Sequence, residues 1–108
     1  MAELLTNMDG RKVTAASCAN DLVAFGAIKE ALKAGLRVPD DLSIIGFDNV
    51  PVSANCIPEL TTVSLKCNGL GRTAADVLHK LTAHKKVGKL TSIEPELGIR
   101  ESTGPFTG

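Results

Sequence analysis

Val13–Asn49, VTAASCANDLVAFGAIKEALKAGLRVPDDLSIIGFDN, reads as a strand, a helix and a second strand, each ending in polar residues. Val13 to Ala19 is a run of small and apolar residues without helical spacing, and Leu42 to Phe47 is nearly continuously apolar. Runs of this kind predict strands buried on both faces, as in a parallel sheet. Between them Leu22, Phe25, Ile28, Ala31 and Leu32 recur at helical spacing and predict one apolar stripe. Asn20 or Asp21 suits the cap, Gly35 suits a left-handed residue after the last turn, and Pro39 keeps the helix from resuming. In a right-handed strand–helix–strand crossover, the carboxyl ends of both strands share one edge of the sheet. Asn20 and Asp21 follow the first strand there, Asp48 and Asn49 the second, and ligands of open α/β sheets sit at that edge.

Composition narrows the function classes. Lys plus Arg and Asp plus Glu are each 12 in 108 residues, so the net charge is zero and no basic footprint for nucleic acid is present. Cys18, Cys56 and Cys67 are odd in number and lack C-x-x-C spacing, which disfavours a disulfide framework or a zinc site and points to a reducing cytoplasm. No stretch approaches the roughly 20 apolar residues of a membrane span. With no Trp, no Tyr and three Phe, the chain has few rings on which a sugar or base could stack, so a ligand site needs walls from elsewhere.

Met1 to Met8 reads as the end of a helix, with Met1, Leu4, Leu5 and Met8 on one face and Gly10 past its end. A domain seldom starts inside a helix, so Met1 is expected to be an internal residue or an artificial start. After Asn49, Pro51 and Pro58 without periodicity predict an irregular loop. Leu60 to Leu65 predicts a third strand, and Leu70, Ala74, Val77, Leu78 and Leu81 an amphipathic helix capped at Asn68. Ile93 to Ile99 alternates, but Pro95 limits it to an edge strand.

Candidate chemistry is sparse. Asn20, Asp21, Asp48 and Asn49 offer the short donors and acceptors that orient ligand hydroxyls or amides, although capping and turn formation explain the same residues. Gly69, Gly71 and Ala74 match G-x-G-x-x-A, which would make the chain part of a nucleotide-binding enzyme; the acid that should end the next strand is missing. His79 and His84 lack metal spacing, and Cys67 has no base beside it. No catalytic residue, metal or cofactor is expected.

CANDLVAFGAIKEALKAGLRVPDDLSIIGFDNV, IPELTTVSLKCNGLGRTAADVLHKL and LGIREST together resemble the C-terminal part of the LacI/GalR family of bacterial transcription regulators, in the family's order. The resemblance implies a periplasmic-binding-protein-like, three-layer α/β/α fold with a parallel sheet. Residues 1–65 and 92–103 would form the C-terminal lobe, and 66–91 the crossover and a helix of the N-terminal lobe. The helix-turn-helix would lie outside this chain. It further implies that Asn20, Asp48 and Cys67 line the effector cleft, Cys67 standing where some relatives carry an aromatic ring. Phe25, Lys29 and Cys56 would lie on a homodimer interface. The partners implied are a sugar or purine-like effector, a second subunit, and operator DNA through the absent domain. The nearest alternative is a periplasmic solute-binding protein of the same fold.

Overall fold

The computed structural model describes residues 11–107, apart from the side chain of Cys67; the helix expected over Met1 to Met8 lies outside them. Three parallel strands, β1 (Ala15–Ser17), β2 (Ser43–Phe47) and β3 (Thr61–Ser64), lie in the order of the chain. β4 (Glu96–Gly98) adds to β3 in the antiparallel sense, pairing Thr62 with Gly98 and Ser64 with Glu96. It begins immediately after Pro95, whose missing N–H cannot enter the ladder, so Ile93 stays outside the sheet.

Helix α1 (Asp21–Lys33) joins β1 to β2 and packs on the sheet. Its buried positions are Asp21, Ala24, Ala27, Ile28 and Ala31, whereas Leu22 and Leu32 are exposed. The apolar stripe is therefore rotated from the expected one. Alanines and Ile28 face the strands, the alanines letting the helix axis approach closely, and Leu22, Val23 and Leu32 turn outward. Gly46 marks the closest approach: a Cβ there would clash with the Asp21 carboxylate and lie 2.9 Å from Leu60 Cδ2. Leu42, Ile44 and Leu60 are fully buried beneath the helix, each contributing about 1.5–3 kcal/mol relative to exposure.

α1 ends as its sequence suggests, with Gly35 at φ 79° after the capping Ala34. β1 is shorter than Val13 to Ala19, and Ala15 and Ser17 are exposed with only Ala16 half-buried, because among the described residues a helix covers one face alone. The segment after Asn49 contains one turn of 3-10 helix, Pro51–Ala54, whose Ser53 is fully buried. At the amino edge Ser102 ties the tail to two strands: its hydroxyl donates to the Ile44 carbonyl (2.6 Å) and accepts from Thr61 N–H (2.8 Å).

Helix α2 (Cys67–Thr82) starts earlier than expected. Lys66, in the left-handed region at φ 49°, precedes it without a side-chain cap, and Asn68 lies inside the helix. Among the described residues α2 packs on no strand as α1 does. Leu70, Leu78 and Leu81 remain exposed on a shallow groove shared with Gly88 and Ile93.

Candidate functional site

The carboxyl edge of the sheet gathers Asn20 and Asp48. The register pairs Ser17 with Ile45, so Asn20 and Asp48 each lie three residues beyond a matched position on adjacent strands. Neighbouring strands run about 4.8 Å apart, so both residues lie at the same edge of the sheet, just beyond the ends of adjacent strands. Asn20 is the N-cap of α1: its backbone is extended, at φ −156° and ψ 175°, and its Oδ1 accepts from Val23 N–H at 2.9 Å. The cap occupies one lone pair and leaves the amide N–H groups as donors. Asp48 is exposed and offers only acceptors when ionised.

Asp48 and Asn49 both have positive φ, 110° and 57°. Such backbone costs on the order of 1–3 kcal/mol in a non-glycine residue and persists only where surrounding bonds over-determine it. Three N–H groups do so here: Asp48 donates to the Val63 carbonyl (2.9 Å), Asn49 to Thr62 Oγ1 (3.2 Å) and Val50 to Asp21 Oδ2 (2.8 Å). The Asn49 side chain is engaged as well, its Oδ1 accepting from Ser53 Oγ at 3.1 Å and Arg100 Nη2 at 2.8 Å.

Two members of the expected constellation are therefore framework. Asp21 is fully buried; besides Val50 N–H, its carboxylate accepts from the Thr62 hydroxyl at 2.6 Å, so it binds the loop to α1 and β3 and faces no ligand. Asn49 spends its acceptor on Ser53 and Arg100. Sequence reasoning missed Ser53, Thr62 and Arg100 as supports. The only signal available was Arg100 inside the REST motif, which names a family and not a contact.

Cys67 is the first residue of α2, where the chain leaves β3 through Lys66; its side chain is outside the described set. Lys66 Nζ lies 3.2 Å from Glu96 Oε2 and joins the start of α2 to β4. Cys18, half-buried just beyond β1, has its thiol pushed up by burial.

Phe25, Lys29 and Cys56 come together on a second feature, an apolar groove of about 720 Å³ between α1 and the 3-10 turn that Ile28, Leu32 and Val52 also line. The G-x-G-x-x-A match fails structurally: Gly69 and Gly71 are inside α2, so no glycine loop precedes a helix N-terminus. His79 and His84 are exposed, and among the described residues no cluster of His, Cys, Asp and Glu could hold a metal. Nor is any described helix long and apolar enough to cross a membrane.

Residues 2–103 match the model of the periplasmic binding protein-like domain. The chain is 46% identical over 90 residues to the HTH-type transcriptional repressor PurR of Mannheimia succiniciproducens, covering 82% of this chain and 27% of that protein. It thus spans little more than a quarter of the length of that relative. Among solved structures it superposes on the lac repressor dimer bound to operator and the anti-inducer ONPF, with a TM-score of 0.84 and 34% identity, over 93% of this chain and 35% of that one. A LacI family transcriptional regulator from Enterococcus faecium with bound ribose gives a TM-score of 0.81 and 32% identity, over 98% and 38%.

Proposed function

The chain belongs to the periplasmic-binding-protein-like family, in the branch of the LacI-type transcription regulators, and from that premise we propose that it is the effector-sensing and dimerising part of such a regulator. The relatives are transcriptional repressors, and the chain is not an enzyme. What supports the ligand reading is that the parallel pairing of β1 and β2 brings Asn20, with amide donors, and Asp48, with carboxylate acceptors, to the same edge of the sheet on bonded backbone. A sugar or a purine-like base fits that pair. Ribose is bound in the Enterococcus faecium relative.

In this reading residues 1–65 and 92–103 belong to one lobe, and 66–91 to the crossover and a helix of the other, with Cys67 at the crossing. The exposed leucines of α2 then face the other lobe, which supplies the walls that the open edge lacks. Phe25, Lys29 and Cys56 meet a second subunit through the groove along α1. Operator DNA is bound by a helix-turn-helix outside this chain, in the cytoplasm. An effector that binds one closure state of the lobes more tightly shifts the dimer's operator affinity by that difference and no more.

Asp48→Asn tests the ligand reading. The change keeps size and removes charge from an exposed side chain, so the melting temperature should barely move. Effector affinity measured by titration calorimetry on the full-length regulator should fall about tenfold or more, since a hydrogen bond to a charged group is worth about 1.5–3 kcal/mol. Unchanged affinity would reduce Asp48 to a turn residue.

A further inference from the structure

We infer that Arg100 is a positioning residue for the ligand loop, holding through Asn49 the left-handed backbone from which the Asp48 carboxylate meets an effector. This rests on the reading of Asp48 as a ligand group. Arg100 is anchored at both ends. Its backbone N–H donates to Thr61 Oγ1 at 2.8 Å, and Nη1 donates to the Leu60 carbonyl at 2.9 Å and to Ser53 Oγ at 2.8 Å. Nη2 then reaches Asn49 Oδ1 at 2.8 Å. One guanidinium therefore joins the end of β4 and the entry to β3 to the loop after β2.

The loop needs such a clamp. Asp48 at φ 110° and Asn49 at φ 57° are held by main-chain N–H bonds on one side only, toward β3 and α1. Asn49 Oδ1 is the loop's side-chain tether, and Ser53, its other donor, is itself bound to Arg100 and can also turn its hydroxyl to the Val50 carbonyl 2.6 Å away. Without the guanidinium, Ser53 satisfies itself on Val50 and releases Asn49. A planar fork reaches Leu60, Ser53 and Asn49 at once; a lysine ammonium on a flexible stem does not fix three acceptors in one plane. Arg100 lies two residues beyond the end of β4, the strand that returns from the α2 segment.

The test is a double-mutant cycle on the full-length regulator, with ribose, lactose and hypoxanthine as probes in titration calorimetry, and amide exchange by NMR on the ligand-free protein. Arg100→Met should weaken binding of whichever probe the unaltered protein takes roughly tenfold, and Arg100→Lys should not restore it. In the Arg100→Met background Asp48→Asn should cost no more than about twofold, because a misplaced carboxylate has little left to lose. The amides of Asn49 and Val50 should exchange roughly tenfold faster in Arg100→Met, while those inside α1 hold their rate. Should Arg100→Met fail to fold, Asn49→Gly cuts the same tether at a φ that glycine accepts, and should produce the same loss. Full additivity of Arg100→Met with Asp48→Asn, or unchanged exchange at Asn49 and Val50, overturns the inference. If Asp48→Asn alone leaves affinity unchanged, the ligand reading has failed instead, and exchange still decides whether Arg100 holds the loop. If no probe binds, exchange decides alone.

Discussion

Replacing Asp21 probes the junction on which the whole carboxyl edge depends. Its carboxylate is fully buried at the first turn of α1 and accepts from the Val50 N–H at 2.8 Å and the Thr62 hydroxyl at 2.6 Å. Asp21→Ala leaves both donors without an acceptor, at about 1–3 kcal/mol each, and gives up a favourable charge at the helix N-terminus worth about 0.3–1 kcal/mol. Relief of the carboxylate's own desolvation offsets part of this. A net loss of about 2–4 kcal/mol follows, or a fall in melting temperature on the order of 8–16 °C for a chain of this size. Asp21→Asn is gentler. Its amide oxygen keeps the Val50 bond, but its NH2 cannot accept from the Thr62 hydroxyl, whose proton loses its acceptor, so about 1–2 kcal/mol is lost. Urea and thermal unfolding of the two variants, with Thr62→Val and the Asp21→Ala/Thr62→Val pair to complete a cycle, measure the terms. The reasoning is refuted if both Asp21 variants stay within about 0.5 kcal/mol of the original, or if the cycle shows no coupling.

Gly46→Ala should destabilise by about 1–3 kcal/mol or more, because its methyl group displaces the Asp21 carboxylate and presses on Leu60; a neutral effect in chemical denaturation would show that α1 has room to retreat. Asp41 offers a pH test. Hydrogen bonds from the Arg37 guanidinium (2.9 Å) and backbone N–H (2.8 Å) hold its carboxyl well below the usual 3.8, so its contribution is fully present above about pH 4 and is lost as pH falls through the lowered value. Asp41→Asn should therefore flatten the acid limb of the stability curve below pH 4, and an unchanged limb would locate acid sensitivity elsewhere. For the groove, Phe25→Glu should convert the full-length regulator to monomer in sedimentation velocity at micromolar concentration, since a charge buried in an apolar interface core is costly; a persisting dimer would move the interface off α1.

The parts of this protein legible in its sequence are those decided by near neighbours. Asn20 as N-cap depends on Val23, three residues on, and Gly35 ends α1 because the turn itself needs a left-handed residue. The strands at Leu42 and Leu60 followed from apolar and β-branched runs, and β4 from the alternation that Pro95 truncates. The shared edge of Asn20 and Asp48 followed from parallel pairing, and membership of the family from the AND, GFD and REST motifs. Tertiary structure decided the rest. The phase of α1 could not be read because its apolar residues cover two adjacent faces, and only the close approach at Gly46 selects the alanine face for the sheet. Asp21 and Asn49 looked like ligand groups because short polar side chains at a strand end serve ligands and frameworks equally well. Asp21 meets Val50 and Thr62, 29 and 41 residues away, and Asn49 meets Arg100, 51 residues away. A buried charge is assigned its role by the donors that surround it, and those donors reach it only when the chain has closed.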